Sequence, residues 1–263
     1  MKLAILIPAF NDTVGLKNAL QSISVEAGDE TEVVVVDDGS AVPLTNDTPI
    51  ENARVTILRL ETNQGIVAAL NAGLNYILKT DAELIARLDA GDVAVPDRFR
   101  LQLEEFRRRP NLSLLGGAVK FRNPNGTEFR VNKPIKRSEI LDLLPLNSMF
   151  CHTAVMFRVD VVKRLGCYSY DYPAAEDYEL FWRITKTCEV SNLSEVLVFV
   201  DNNPSGISLS KRRIQLKSRL KIQIDNFDGF RLNAYLGVFK TAFLFVVPSS
   251  ILIQLKTLIK VVR

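Results

Sequence analysis

The sequence has little cysteine and almost no histidine or tryptophan: three cysteines, one histidine and one tryptophan in 263 residues. The cysteines at positions 151, 167 and 188 lack the CxxC spacing that is typical of zinc sites and redox pairs. So few thiols, odd in number, exclude a disulfide scaffold and are typical of a reducing compartment. We therefore expect a cytoplasmic protein.

Two glycine-rich phosphate loops are also missing. A dinucleotide site would need GxGxxG after the first strand, where the chain reads Pro8-Ala9-Phe10-Asn11, and no Walker-type GK[ST] occurs. A nucleotidyltransferase of related architecture would need a glycine-rich loop bearing Lys or Arg at the same place. Its absence disfavours that class.

Acidic residues are scarce at the carboxyl end. Residues 205–263 carry 11 Lys and Arg against two acids, whereas the rest carries 22 basic and 28 acidic residues. The segment 236–263 is strongly apolar and has no acid, but Pro248 divides it into pieces shorter than the ~20 residues of a spanning helix. We expect helices lying in a membrane interface. A helix pair packed on the domain or in a homodimer is the alternative.

No nucleic-acid partner is expected, because the basic residues of this tail alternate with aliphatic residues and not with stacking aromatics. At the other end, MKLAILIPAFND has a short apolar run like a signal peptide. It contains a proline and no small-residue cleavage site follows, so it predicts a buried first strand.

Strand-like and helical patterns alternate along the first 120 residues. The alternation favours an α/β fold with a mostly parallel sheet flanked by helices. Strands are predicted at 2–7, 32–36, 54–60, 83–88, 112–121, 153–157 and 193–200, with a polar loop at 122–135. Helices are predicted at 12–24, 65–79, 97–109, 159–165, 177–188 and 208–227.

Carboxylates follow two of the predicted strands. The second ends in Asp37-Asp38-Gly39-Ser40 and the fourth in Asp89-Ala90-Gly91-Asp92. Ligands of open α/β sheets bind outside the carboxyl ends of strands, so these acids should meet in one crevice. There they can accept hydrogen bonds from a nucleoside or hold a divalent cation. Turn and cap roles are the structural alternative.

A third acidic pair, Glu176-Asp177, opens the predicted helix 177–188. Acids in a first helical turn are also favoured by the helix dipole alone. The spacing by itself leaves open whether these acids have a functional role or only stabilise the helix.

In combination these segments resemble the inverting family 2 glycosyltransferases, which have the Rossmann-like GT-A fold. The matching segments span about residues 3–200 in the family's order: IPAFN, VVVVDDGS, NQGIVAALNAG, ARLDAGDVAVPDRF, HTAVMFR and AEDYELFWRI. Each segment alone is weak evidence for the family, but the set in this order is specific to it. The resemblance implies a glycosyltransferase domain at 1–204, with a nucleotide-binding half (about 1–110), an acceptor half (111–204) and a membrane-associating helical tail (205–263).

The resemblance also implies roles for residues of the donor site. Pro8, Phe10 and Asn11 would line the nucleoside pocket, and Asp38, more than Asp37, would hydrogen-bond a pyrimidine base. A further contact, from Arg87 to the donor phosphate, is implied more weakly, because an arginine at a strand end can simply pair with a neighbouring acid.

Asp89 would begin the DxD motif that binds ribose and a metal-bound diphosphate, with Mn²⁺ or Mg²⁺ as the cofactor. Here the chain departs from the pattern, since Gly91 replaces the usual metal ligand. Asp92 can substitute if a turn brings it back, or it can cap the next segment. His152 can complete the metal sphere, contact the diphosphate or serve as a satisfied polar residue.

Asp177 would be the general base, with Glu176 as second choice or as an acceptor-positioning group. The implied function is transfer of a sugar from a nucleotide sugar, a UDP-hexose being favoured, to a lipid-linked or other saccharide acceptor in bacterial surface-polysaccharide synthesis. The tail would hold the enzyme peripherally on the inner, cytoplasmic leaflet of the cell membrane. The alternative is a catalytically inactive binding or scaffold module of the same fold. Three basic residues at 211–213 can bind diphosphate or face solvent or membrane.

Overall fold

A computed structural model describes residues 1–25, 30–46, 48–201 and 211–247. The strands are β1 Leu3–Ala9, β2 Thr31–Asp37, β3 Ala53–Arg59, β4 Leu84–Arg87, β5 Val93–Ala94, β6 Leu112–Arg122, β7 Glu128–Val131, β8 Met156–Arg158 and β9 Glu189–Asp201. The helices are α1 Thr13–Gln21, α2 Ile66–Ile77, α3 Arg98–Arg108, α4 Arg137–Leu143, α5 Val159–Leu165, α6 Glu176–Thr187, α7 Arg212–Asp225 and α8 Leu232–Val246.

One mixed sheet organises the domain. Its strand order is β3-β2-β1-β4-β8-β6-β9-β5, with β7 beside β6. The first four strands are parallel, β8 runs antiparallel between β4 and β6, and β9 is parallel to β6. Six strands therefore share one direction, which confirms the mostly parallel sheet. Their carboxyl ends lie along a single edge.

The sheet is buried on both faces because its strands are apolar at nearly every position. In β2, Val34 and Val36 pack into the cluster that contains α2 and α6, whereas Val33 and Val35 pack into the cluster that contains α1 and α3. This alternation follows from the two-residue period of a strand. Continuous apolar runs are therefore required in the central strands.

Some predicted elements differ from the structure. The loop predicted at 122–135 is wrong at Glu128–Val131, which form β7 against β6; the rings of Phe121 and Phe129 stack there at 5.0 Å. The strand predicted at 153–157 is reduced to Met156–Arg158, because His152–Ala154 form one turn of 3₁₀ helix. Helix α4 was not predicted, since its seven residues are too few to show a clear helical period.

The two described tail helices pack on the domain. In α7, Ile222 is buried in the core cluster of α2 and α6, and the Gln223 side chain donates to the Pro145 carbonyl at 2.7 Å. In α8, a Cβ added at Gly237 would lie 2.1 Å from the Pro145 carbonyl oxygen, so glycine permits this close approach. The predicted basic helix is confirmed at Arg212–Asp225. Residues 202–210, Pro248 and the second apolar piece lie outside the described residues. Within the described part of the chain, no helix combines the length and apolar character needed to cross a bilayer.

Candidate active site

The loops that follow β1, β2 and β4 enclose a cleft of about 430 Å³ at the carboxyl edge of the sheet. Four of the predicted site residues line it: Pro8, Phe10, Asp38 and Asp89. Phe10 is 45% exposed, which is unusual for an aromatic residue so close to a core strand. The two acidic strand ends therefore converge, as the topology predicts. The complete lining is Pro8, Ala9, Phe10, Asp12, Asp38, Asn63, Gly65, Ile66, Ala69, Asp89, Ala90 and Lys211.

Asn11 joins two of the loops. Its backbone N–H donates to Ser40 Oγ at 2.8 Å, and its side-chain oxygen accepts from the Ala41 amide at 2.8 Å. The residue has a φ of 51°, a left-handed conformation that asparagine tolerates better than most residues. Asn11 thus shapes the cleft wall, and its contact with a nucleoside stays a prediction.

The acids at the end of β2 have different surroundings. Asp37 is fully buried and accepts from the backbone amides of Ser40 (2.9 Å) and Leu44 (3.2 Å) and from the Arg59 guanidinium. Burial alone would raise the pKa of Asp37, but a side-chain hydrogen bond from Ser40 together with these donors outweighs it and holds the pKa below its usual range. Asp37 is therefore the structural member of the pair.

Asp38 faces the cleft. Its two oxygens accept from the backbone amides of Gln64 (2.8 Å) and Gly65 (2.9 Å), just before α2. Each oxygen keeps a second lone pair, so the carboxylate is held in place and can still accept from a ligand. This geometry suits a residue that recognises a base N–H.

The acids after β4 lie on one turn. The Asp92 amide donates to the Asp89 carbonyl at 3.1 Å, and Gly91 has a φ of 91°. A left-handed third residue is what a type II turn needs, and glycine adopts it without strain. Thr153 holds the turn, because its hydroxyl accepts from the Asp89 amide at 3.1 Å and hydrogen-bonds the Asp92 carboxyl. The glycine therefore does bring Asp92 back beside Asp89.

Arg87 lies beneath the cleft and not in it. The side chain is fully buried, and its guanidinium donates to the carbonyls of Leu6 and Leu88, to Asp89 Oδ1 at 2.5 Å and to His152 Nε2 at 3.3 Å. The structure places the Arg87 guanidinium against Asp89, and its contact with the donor phosphate stays a prediction.

Charge is distributed unevenly between Asp89 and Asp92. Burial opposes ionisation of Asp89, but the Arg87 guanidinium holds the pKa of Asp89 below its usual range, and the side chain remains 38% exposed. Burial and the Asp89 charge raise the pKa of Asp92 to about 7. A second buried guanidinium, Arg98, donates to the Arg87 carbonyl at 2.5 Å; burial and the charge of Arg87 lower its pKa to about 9.

The His152 side chain lies between Arg87 and Tyr168. Its Nε2 lies 2.8 Å from the Tyr168 hydroxyl and accepts from Arg87, and burial together with the Arg87 charge lowers the pKa of His152 to about 4. The imidazole is therefore neutral at physiological pH. It is close enough to both Asp89 and Asp177 to feel their charges. Sequence reasoning missed Tyr168, which has no motif signal.

Glu176 and Asp177 open α6. The chain enters the helix through Ala174, whose φ of 60° is left-handed and costs about 1–2 kcal/mol in an L-residue. Glu176 is 7% exposed and its Oε2 has no hydrogen-bond partner in the described structure. Burial and the neighbouring Asp177 charge raise the pKa of Glu176 to about 7. Asp177 itself is half-buried, so it can reach a ligand.

Within the described residues, no group of three His, Cys, Asp or Glu side chains could hold a metal by itself. The site does fit a cation that is shared with a ligand. Mg²⁺ and similar ions commonly bind one or two carboxylates together with substrate phosphates. Asp89, 38% exposed in the cleft, provides one such carboxylate, and Asp92, 7% exposed and hydrogen-bonded to Thr153, lies behind it on the same turn.

The surroundings of His152 fit a metal ligand less well. Its Nε2 already has two partners, Arg87 and Tyr168, so coordination there would displace both.

Comparison with known proteins agrees with this geometry. Residues 4–166 match the model of glycosyl transferase family 2. The chain is 30% identical over 247 residues to the amylovoran biosynthesis glycosyltransferase AmsE of Erwinia amylovora, covering 88% of this chain and 90% of that one. It is 30% identical over 188 residues to the UDP-Gal:alpha-D-GlcNAc-diphosphoundecaprenol beta-1,3-galactosyltransferase of Escherichia coli, covering 70% and 67%.

Two solved structures share the fold. S. aureus TarS 1–349 in complex with UDP-GlcNAc superposes with a TM-score of 0.67 at 16% identity, covering 92% of this chain and 72% of that one. The mannosyltransferase PcManGT of Pyrobaculum calidifontis, in complex with GDP-Man and Mn²⁺, superposes with a TM-score of 0.61 at 16% identity, covering 91% and 68%.

The mostly parallel sheet with its acidic strand ends on one cleft is the predicted GT-A fold, which these solved structures share. The chain belongs to glycosyl transferase family 2.

Proposed function

We propose that this glycosyltransferase moves a hexose from a UDP-sugar to a lipid-linked saccharide, with inversion, during synthesis of a bacterial surface polysaccharide. The observation that carries the proposal is the convergence of Asp38 and Asp89 on one cleft beside an exposed aromatic residue, Phe10. The names of the relatives support it: one uses UDP-Gal and a diphosphoundecaprenol acceptor, and another acts in amylovoran biosynthesis.

The nucleoside would lie between Pro8, Phe10 and Asp38. The first two provide apolar contact for the rings, and Phe10 can stack on a base. Asp38 would accept the N–H of uracil with the lone pairs that Gln64 and Gly65 leave open.

The leaving diphosphate would lie beside the Asp89–Asp92 turn. A bound Mn²⁺ or Mg²⁺ would neutralise the charge that develops on the diphosphate. Asp89 and Asp92 would hold that ion, and Arg87 keeps Asp89 ionised and oriented from below. His152 then supports Arg87 and is not required as a ligand.

Asp177 would act as the general base. Its carboxylate removes the proton of the acceptor hydroxyl while that oxygen bonds to the anomeric carbon. The bond from that carbon to the diphosphate oxygen breaks, and the nucleoside diphosphate leaves with the electron pair on the opposite face. Glu176, with its raised pKa, is partly protonated near neutral pH and can donate a hydrogen bond to the acceptor.

We also propose that α8 holds the enzyme on the cytoplasmic leaflet. The helix buries small residues, Ala234, Gly237 and Thr241, and exposes large apolar ones on the opposite side. The exposed stripe consists of Leu232, Tyr235, Leu236, Phe239 and Phe243, at 46–74% exposure. An exposed stripe of large apolar side chains opposite a buried face of small residues is typical of an amphipathic helix that inserts into a bilayer surface. The basic residues of the tail add attraction to anionic lipid.

The reaction is tested with a panel of UDP-, GDP- and dTDP-sugars, each with Mn²⁺, Mg²⁺ or EDTA, with and without a polyprenyl-diphosphate saccharide. We expect one UDP-sugar to be consumed, only with a divalent ion and much faster with the lipid-linked acceptor. Nucleotide binding with no turnover on any lipid-linked or free saccharide would favour the inactive scaffold. Preference for a GDP- or dTDP-sugar would contradict the assignment of uracil as the nucleobase of the donor.

Membrane attachment is tested by co-sedimentation with vesicles of phosphatidylcholine with and without phosphatidylglycerol. We expect binding to the anionic vesicles, which Phe239→Ser with Phe243→Ser weakens at least fivefold because apolar burial is lost. Val42→Ser is the matched control, since Val42 is as exposed as Phe239, at 73%, but lies outside α8. Equal binding of all three proteins would contradict the assignment of α8, and a concentration-dependent dimer lost in the double variant would assign the stripe to self-association.

A further inference from the structure

Three consecutive cations begin α7, and each has different surroundings. Arg212 donates to the Leu244 carbonyl at 2.7 Å and so closes the end of α8. Arg213 is exposed. Lys211, the residue immediately before α7, lines the cleft that contains Asp38 and Asp89. Lys211, the first described residue of the tail, therefore lies at the candidate donor site.

Acids outnumber cations among the described residues that line the cleft. Its described lining includes three carboxylates, those of Asp12, Asp38 and Asp89, and Lys211 is the only cation among these lining residues. The nearest buried guanidinium, Arg87, is already paired with Asp89. An anionic ligand that enters a cleft of this composition needs additional positive charge, because like charges repel over these distances.

We propose that the Lys211 ammonium binds the diphosphate of the nucleotide donor and of the departing nucleoside diphosphate. The inference rests on the proposed function, which supplies the nucleotide. Lysine suits the task, since its compact charge on a flexible stem can follow phosphate oxygens as a bond breaks. Lys211 is also the N-cap residue of α7, so the positive end of that helix dipole lies at the same place.

The position of Lys211 is maintained by the packing of α7 on the acceptor half. Ser218 Oγ donates to the Pro173 carbonyl at 2.8 Å, three residues before Glu176. Gln223 donates to the Pro145 carbonyl at 2.7 Å. The helix that carries Lys211 therefore contacts the segment that leads into the candidate base. The same packing would let the tail complete the donor site in addition to any contact with a membrane.

The inference is tested by titrating the full-length protein with UDP, uridine, GDP and guanosine in EDTA, by calorimetry. We expect Lys211→Gln to weaken UDP binding about tenfold, as for loss of one charge-assisted hydrogen bond, and to leave uridine binding unchanged. Lys211→Arg should retain most of the affinity. Arg213→Gln is the matched control and should change neither ligand.

Two outcomes distinguish a failure of this inference from a failure of the proposed function. If wild-type protein binds UDP and Lys211→Gln binds it equally well, or loses uridine affinity to the same extent, this inference is overturned while the proposed function stands. If wild-type protein binds neither nucleotide with or without Mn²⁺, the proposed function fails and this inference fails with it.

Discussion

Two pairs of adjacent acids, Asp37-Asp38 and Glu176-Asp177, show how similar burial leads to opposite chemistry. In the first pair both acids are buried, Asp37 with no exposed surface and Asp38 at 4%, whereas in the second Glu176 is buried at 7% and Asp177 is half-buried. The pKa of Asp37 is lowered, whereas the pKa of Glu176 is raised to about 7. Burial alone cannot explain opposite directions.

Hydrogen-bond donors explain the difference. Asp37 accepts from two backbone amides and from Arg59, so its charged form is stabilised. Glu176 has an oxygen without a partner, and its neighbour Asp177 adds a like charge. A buried acid with several donors strengthens the fold, and a buried acid with little more than its own backbone amide as donor is kept at a cost in stability. The second situation is typical of a functional site.

The largest effect is expected at Asp177. We predict that Asp177→Asn lowers kcat for transfer by roughly 10²–10⁴-fold, because the acceptor proton loses its base. UDP affinity and the free energy of unfolding should stay within about 0.5 kcal/mol of wild type. Asp160→Asn is the control, since Asp160 is an exposed acid in the first turn of another helix, α5. Full activity of Asp177→Asn would transfer the role of base to Glu176.

The next effect is on stability at Asp37. We predict that Asp37→Asn lowers the free energy of unfolding by about 2–3 kcal/mol at pH 7, because the buried carboxylate that accepts from Arg59 and from two backbone amides loses its charge; the Arg59 side chain itself is 38% exposed. Since the folded pKa is lowered, the contribution is complete above the unfolded pKa of ~3.9 and disappears as pH falls through the folded pKa. Urea unfolding at pH 7 and pH 3 measures it. A difference that does not shrink at pH 3 would contradict the charge-based account.

At Glu176 we predict an effect of opposite sign. Because the folded pKa is raised, wild-type stability falls as pH rises from the unfolded value of ~4.3 to about 7. Glu176→Gln removes that charge and should therefore stabilise the fold by roughly 1–3 kcal/mol at pH 8 and by little at pH 4.5. Urea unfolding at both pH values decides the sign. A variant that is less stable than wild type at pH 8 would mean that the charged carboxylate is stabilised by more donors than its own backbone amide.

The smallest effect is expected at Tyr168, which neighbours the second pair. Tyr168→Phe removes the hydrogen bond to His152 Nε2 and should cost about 1 kcal/mol at any pH between 6 and 8. The pH dependence assigned to Glu176 should not change, since burial and Asp177 are its causes. A flattened pH profile in Tyr168→Phe would show that the hydroxyl also sets the Glu176 pKa.

Several strands, one helix and the converging acids of this molecule can be predicted from short stretches of sequence. Strands β1, β2 and β4 follow from continuous apolar runs, and α2 from a stripe through Ile66, Leu70 and Leu74. The converging acids follow from strand direction alone, because parallel strands end at one edge. Strand β7 is not readable in this way, since Glu128–Val131 are mostly exposed and form a strand only by pairing with β6.

The α/β fold class and the acidic residues at the strand ends can be predicted from short stretches of sequence, because hydrophobic period and turn chemistry act between near neighbours along the chain. The partners that each polar residue contacts follow only from the folded arrangement. Arg87 reaches His152 across 65 positions, and Lys211 comes from the tail to line the cleft beside Asp89. The physical reason is that a buried charge takes whatever donors and acceptors the folded chain brings to it, and those partners lie far away in sequence.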